Sequence, residues 1–146
     1  MAFSLVAERP EHAAPIEAVL DRAFGLGRFA KTSERVRERG AVAEPGLSRV
    51  ALDEAGAVVG VCRIWRIAVG GAPAFFLGPL AVDPSAQNVG LGADLVHAAV
   101  EACRPSRCEA IVVVGAAAFF APMGFTAIPE GQVVLPGPVN PARLLW

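Results

Sequence analysis

The 146 residues contain no tyrosine, two histidines, three cysteines and two methionines. His12 and His97 form no local pair, and Cys103 and Cys108 lack zinc-type spacing, so no metal site is expected. Cys62, Cys103 and Cys108 are an odd, scattered set. They read as reduced thiols of a cytoplasmic protein, not as a disulfide framework. Cys62 falls in an alternating strand and Cys103 ends a helix. Neither has a histidine and acid partner readable in the sequence, which argues against a cysteine nucleophile. No apolar run reaches the roughly 18 residues that would span a membrane. The N-terminus, MAFSLVAERPEH, has no basic region followed by a long apolar stretch, so no signal peptide is read. Charged residues are 18% of the chain and the net charge is −1, which gives no electrostatic case for nucleic acid. No internal repeat, low-complexity tract or linker is found.

What is present is apolar. Hydrophobic residues make up 54% of the chain, enough for one domain over residues 1–146 with a real core. Phe3 to Ala7 reads as a first strand. Pro10-Glu11 opens a helix, since proline and an acidic residue both suit a first turn; Ile16, Val19, Leu20 and Ala23 share one face of it. A second helical segment, about Phe29 to Arg39, is rich in charge. Arg28 to Arg39 holds five basic and two acidic residues, either a solvated face or a lip that attracts an anion. Gly40 to Gly46 reads as a loop. Arg49 to Asp53 and Val58 to Val69 form a hairpin around Glu54-Ala55-Gly56, and Gly70-Gly71 turns the chain into a third antiparallel strand.

That strand, Ala74 to Val82, carries Gly78-Pro79 inside it. Proline cannot donate to a ladder and glycine in a strand marks a bulge, so pairing is expected to fail there. The failure would free backbone groups for an extended, amide-containing ligand. After Asp83-Pro84 comes Gln87-Asn88-Val89-Gly90-Leu91-Gly92, then a helix to about Arg104. Strand, glycine loop and helix start can make an anion site, because the first N–H groups of a helix have no internal partner; the same residues also read as an ordinary strand-to-helix turn, and the motif alone does not choose. On that helix Leu91, Leu95, Ala98, Ala99 and Ala102 face inward, and Asp94, His97 and Glu101 face out. Ile111 to Val114 reads as a buried parallel strand, Gly115 to Phe120 as a short helix, Gln132 to Leu135 as a late strand, and Pro136 to Pro141 as an irregular tail. The order, βα(α)βββαβαβ, describes a mixed central sheet of the α+β or α/β kind: an antiparallel meander plus a parallel crossover, flanked by helices.

In this order the chain resembles the GNAT superfamily of acyl-CoA-dependent N-acetyltransferases. The residues that carry the resemblance are Leu77 to Pro84, then Gln87 to Gly92, then Phe119-Phe120-Ala121-Pro122-Met123-Gly124-Phe125. They match a strand ending in L-x-V-x-P, an R/Q-x-x-G-x-G/A loop and an aromatic segment ending in G-F. The tail LPGPVNPARLL is similar to one bacterial subgroup. The resemblance implies that acetyl-CoA is the acyl donor, with its diphosphate on amides of Gln87, Asn88, Val89, Gly90, Leu91, Gly92 and Ala93. The pantetheine arm would run along Leu80, Ala81 and Val82, in a gap facing Ile111 to Val114, with Phe119 and Phe120 beside it. The acceptor would be an amine of a small molecule or peptide, contacting Phe24 to Lys31 and Phe119 to Phe125. A homodimer is conceivable from the apolar composition, and no membrane partner is expected.

Two departures bear on catalysis. Phe119-Phe120 stands where many members carry a tyrosine that protonates the leaving thiolate, and Asn88 replaces a common glycine. A thiol with a pKa near 8.5 is a tolerable leaving group, whereas an alkyl amine near 10.4 needs roughly 4 to 5 kcal/mol to lose its proton at pH 7. General acid catalysis gives about 10² to 10⁴-fold, so the missing tyrosine predicts a slow enzyme before a dead one. No general base is identifiable. Asp83 is the carboxylate closest in sequence to the cofactor arm, but it reads first as a turn residue before Pro84 and only second as a base; Glu34 and Asp53 are weaker candidates. The alternatives are an acyl-CoA-binding module without turnover and, less well matched, a nucleotide binder of another α/β type, whose glycine loop would follow the first strand.

Overall fold

The computed structural model describes residues 3–24, 41–69, 71–87, 89–106, 110–129 and 144–146. The expected second helix around Phe29 to Arg39, the late strand at Gln132 to Leu135, and Glu34, Asn88 and Cys108 lie outside them. Seven strands form one sheet. They are β1 (Ser4–Ala7), β2 (Val42–Ala43), β3 (Arg49–Leu52), β4 (Val58–Val69), β5 (Ala72–Val82), β6 (Ile111–Val114) and β7 (Leu144–Leu145). The order across the sheet is β1-β3-β4-β5-β6-β7, with β2 on β4. All neighbours are antiparallel except β5 and β6, which run parallel. The mixed sheet read from the sequence is therefore present.

One strand corrects the sequence reading and another adds to it; the expected irregular tail at Pro136 to Pro141 lies outside the described residues. Gly40 to Gly46 is not all loop. β4 is 12 residues long and β3 only 4, so the far half of β4 has an open edge, and Val42 and Ala43 pair there with Arg66 and Trp65. At the other edge, Leu144 and Leu145 pair with Val114 and Val113, so the last residues close onto β6 as a strand. Thr126 and Trp146 exchange main-chain hydrogen bonds at 3.0 Å on the outer side of that strand.

Two helices cover opposite faces of the sheet. Helix α1 (Ala13–Phe24) follows a short 3-10 turn at Pro10–His12 and buries Ile16, Val19 and Leu20 against Val50, Val58, Val61 and Ala81. Helix α2 (Leu91–Cys103) buries Leu91, Leu95, Val96, Ala99 and Cys103 against Cys62, Ile64, Phe75 and Leu77. Its inner face is rotated from the one read in the sequence. Val96 and Cys103 are core, while Ala98 and Ala102 are half-buried, because the larger side chains take the deepest positions. Glu101 on the outer face pairs with Arg104 at 2.7 Å. A third, one-turn helix, α3 (Ala117–Phe120), follows β6. Among the described residues no helix is long and apolar enough to cross a membrane.

Arg63 is buried within β4. Its Nε donates to Glu8 at 3.1 Å and Nη1 reaches Glu17 at 3.5 Å, so the charge taken out of water has carboxylate partners from two elements. Close packing of α2 on the sheet rests on Gly60. A Cβ there would lie 2.9 Å from Cδ1 of Leu95, which is itself fully buried. Gly60→Val should therefore destabilise the fold by about 1–3 kcal/mol through overpacking. Gly46→Ala, where a Cβ meets nothing within 4 Å, should stay within about 0.5 kcal/mol of the parent. Denaturant unfolding of both variants checks the contrast.

Candidate functional site

The site begins at the kink in β5. Cys62 pairs with Leu80 but Ile64 pairs with Leu77, so Arg63 alone opposes Gly78 and Pro79. That is the bulge expected from the sequence, and the Gly78-Pro79 peptide is cis. An inserted residue reverses which side of the strand each main-chain group faces. Before the kink, the Phe75 N–H donates to the Ala110 carbonyl at 2.9 Å, toward β6. After it, the Asp83 N–H donates to the Val59 carbonyl at 2.8 Å, toward β4. By the alternation of an antiparallel ladder, Ala81 also bonds to β4, and Leu80 and Val82 turn their N–H and C=O groups away from it. The side chains follow. Phe75 and Leu77 share the α2-side core with Leu80 and Val82, while Ala81 lies under α1.

β6 does not follow the turned groups. Its pairing with β5 stops at Val113 opposite Leu77, while on its other edge Val113 and Val114 pair with Leu145 and Leu144. The strands thus splay, and the gap opens at Val114. It does not run along the whole of Ile111 to Val114 as read from the sequence, because Ile111 to Val113 are spent on Phe75 to Leu77. A cleft of about 210 Å³ fills the splay, lined by Leu77 to Leu80, Val113 to Ala116, Phe119 and Phe120, with Phe24 and Phe76.

Helix α2 starts beside this cleft. Gly90 is its N-cap with φ of +78°, a left-handed conformation that favours glycine. Among the described residues no side chain caps the helix, and the Asp94 N–H closes the first turn on the Gly90 carbonyl at 3.1 Å. The N–H groups of Leu91, Gly92 and Ala93 therefore have no intrahelical acceptor, and they carry the positive end of the helix dipole. Gln87 donates from its side-chain amide to the Val82 carbonyl at 3.1 Å, tying the loop back to the strand end. Val89 is exposed. A Cβ on Gly92 would stand 3.7 Å from Cζ of Phe119 and 3.8 Å from Cγ2 of Val82. Strand end, helix start and α3 thus converge on one point.

The two phenylalanines play different parts. Phe120 is 5% exposed, packs edge-on against Phe125 at 5.5 Å, and lies flat against Gly115, where any Cβ would strike its ring. Phe119 is 40% exposed and stands over the helix start. Ala81 is set apart from the other expected cofactor residues: its main chain is occupied by β4 and its methyl faces α1. Gly115 and Ala116, which line the cleft, were not marked by the sequence.

Asp83 is buried and fully engaged. One oxygen accepts from the Ser85 N–H at 3.0 Å and the Ser85 hydroxyl at 2.8 Å; the other accepts from Arg22 Nε at 2.5 Å. The Ser85 N–H, then the Ser85 hydroxyl and Arg22, hold its carboxyl below the ordinary value of 3.8 against the opposing effect of burial. A carboxylate held in this way is a cap and an ion-pair partner and a poor proton acceptor. Arg22 had no sequence signal, being 61 residues away. Cys62 is fully buried; desolvation first, and Cys103 second, push its thiol far above the ordinary range, so it stays a protonated core residue.

A splayed parallel pair beside a glycine-led helix start is a geometry with room for an extended ligand and with free helix N–H groups suited to a phosphate. The family model for acetyltransferase (GNAT) matches residues 14–125, and the chain belongs to that family. It is similar to a GNAT family N-acetyltransferase (YhbS) from Escherichia coli solved in complex with CoA. The two are 25% identical with a TM-score of 0.75, over 98% of this chain and 79% of that one. It is also similar to a GNAT family acetyltransferase from Brucella melitensis in complex with acetyl-CoA, 26% identical with a TM-score of 0.72, over 99% and 94% of the two chains. A GNAT family acetyltransferase from Staphylococcus aureus Mu50 shares the fold at 16% identity and a TM-score of 0.66, over 99% and 97%. No curated protein matches the sequence.

Asp83 yields a pH prediction. Its folded pKa is depressed, so its contribution to stability is present above the unfolded value near 3.8 and is lost as pH falls through the lower folded value. Asp83→Asn keeps an oxygen that can accept from Ser85 and removes only the charge, so it should cost no more than about 1 kcal/mol at neutral pH, because Asn and Asp cap about equally and the half-exposed Arg22 adds little. The difference between parent and variant should close in acid, as read by urea unfolding at a series of pH values.

Proposed function

We propose that the chain is a single-domain, cytoplasmic acetyltransferase that moves an acetyl group from acetyl-CoA to an amine of a small molecule or peptide. The observation that carries this reading is the pairing of turned main-chain groups at Leu80 and Val82 with the uncapped N–H groups of Leu91, Gly92 and Ala93. One set suits an amide-containing arm and the other a diphosphate. The glycines fit the same ligand, since neither Gly90 nor Gly92 puts a side chain between a phosphate and the amides. Gln87 and Val89 would border the diphosphate on the loop side. When bound, acetyl-CoA supplies an activated acyl thioester.

The chain's own residues then have definable tasks. Leu80 and Val82 orient the arm along β5. Phe119 closes the mouth of the cleft over the first turn of α2 and keeps water from the reacting end, and Phe120 backs it from the core. N–H groups at the splay can polarise a carbonyl placed there, and holding two reactants together supplies much of the remaining acceleration. The transfer is read as direct attack by a neutral amine in a ternary complex. A covalent enzyme intermediate on Cys62 has no support, because that thiol is sealed in the core.

A second reading is favoured by one observation: Phe119 and Phe120 occupy the cleft where a proton-donating phenol would serve. In that reading the chain binds acyl-CoA without turnover, as a sensor or interaction module.

Thiol release from acetyl-CoA across a panel of amines, polyamines and peptide N-termini separates the two. Turnover with at least one acceptor is expected; acetyl-CoA bound but never consumed would favour the binding module. Phe119→Tyr should leave the fold intact and raise kcat, by up to about 10²-fold if a proton donor is limiting. Phe120→Tyr buries a hydroxyl in an apolar core and should destabilise by about 1–3 kcal/mol, as thermal unfolding would show.

A further inference from the structure

We infer that Trp65 is a positioning residue for the acyl donor: its indole pins the kink of β5 and so sets where the turned groups of Leu80 and Val82 lie. This rests on the acyl-CoA reading above. Trp65 sits on β4 directly opposite Phe76, two residues before the kink. Its Nε1–H donates to the Gly78 carbonyl at 2.6 Å. That carbonyl belongs to the bulge, where the regular β4–β5 register is broken, and Pro79 beside it has no N–H to offer. A carbonyl displaced from its ladder and lining a largely apolar cleft needs a donor from elsewhere. The indole reaches it from the neighbouring strand.

The geometry of the walls supports a pin over mere packing. Gly78 lines the cleft between the splayed strands. Trp65 lines a separate pocket of about 180 Å³ with Glu8, Glu17, Ser48 and Arg63. The hydrogen bond therefore joins a residue lining one cavity to a residue lining the other. Below it, β5 is held on both sides by β4 and β6. Above it, β5 is held by β4 alone. The kink is the pivot between these halves, and Trp65 is the side chain that fastens it. Loss of the donor should let the upper half of β5 shift, moving Leu80 and Val82 while leaving the α2 amides in place.

The test separates the two parts of coenzyme A. Isothermal titration would compare free coenzyme A with 3′-phosphoadenosine 5′-diphosphate, which keeps the diphosphate and lacks the pantetheine arm, on the parent and on Trp65→Phe. We expect Trp65→Phe to weaken coenzyme A by about tenfold, the scale of one hydrogen bond to a buried group, with the armless nucleotide unchanged. If coenzyme A affinity is unchanged, or if both ligands weaken equally, Trp65 is only structural and the inference falls. If the parent binds neither ligand, the acyl-CoA reading itself fails and takes this inference with it. Should Trp65→Phe fold poorly, replacing the indole by its benzothienyl isostere keeps the shape and removes only the N–H, and the same ratio of affinities applies.

Discussion

The structure turns on one inserted residue in a β-ladder. Had β5 continued in register past Leu77, the main-chain groups of Leu80 and Val82 would face β4 and be consumed there, and the pairing with β6 could run on. Because Gly78 and Pro79 together oppose Arg63, the alternation reverses. The strand keeps its bonds to β4 through Ala81 and Asp83 and presents the intervening residues to the side that β6 has vacated. A sheet edge is thereby opened inside the sheet, facing the cleft between β5 and β6.

The rest of the fold holds that opening. Below the kink, Phe75, Phe76 and Leu77 are locked between two strands in the core. Beside it, α2 lies close on Gly60 and places its first turn at the strand end. Above it, Asp83 caps the short turn after β5 and reaches Arg22 on α1, joining the helix on one face of the sheet to the loop that feeds the helix on the other. Gln87 returns to the Val82 carbonyl. These are modest interactions singly, but they bracket the same few residues from different directions, which is how a site on a strand end and a helix start is kept precise.

Much of this was legible in the sequence because its cause is local. Gly78-Pro79 states its own consequence for a strand. The spacing of Gly90 and Gly92 before an amphipathic helix states the glycine-led helix start, and the length of the apolar runs states the strands. What was not legible depends on distant partners. Nothing near Asp83 announces Arg22, so its turn role was legible and its ion pair was not. Trp65 was read only as one member of an alternating strand, since its hydrogen bond depends on the register of β4 against β5. The two-residue β2 and the terminal β7 have no pattern of their own; they form because longer neighbours leave an edge to pair with. Ala81 was counted with Leu80 and Val82 because a sequence does not show which side of a ladder each residue faces.

The central claim is that the kink turns Leu80 and Val82 toward a bound ligand that also touches the start of α2. The most direct measurement is the amide spectrum of isotope-labelled protein titrated with coenzyme A. The account predicts that the amides of Leu80, Val82, Leu91, Gly92 and Ala93 shift together with one affinity while that of Ala81, bonded to β4, moves least among its neighbours. Shifts centred on another part of the sheet, or an Ala81 amide that responds as strongly as Leu80 and Val82, would contradict it.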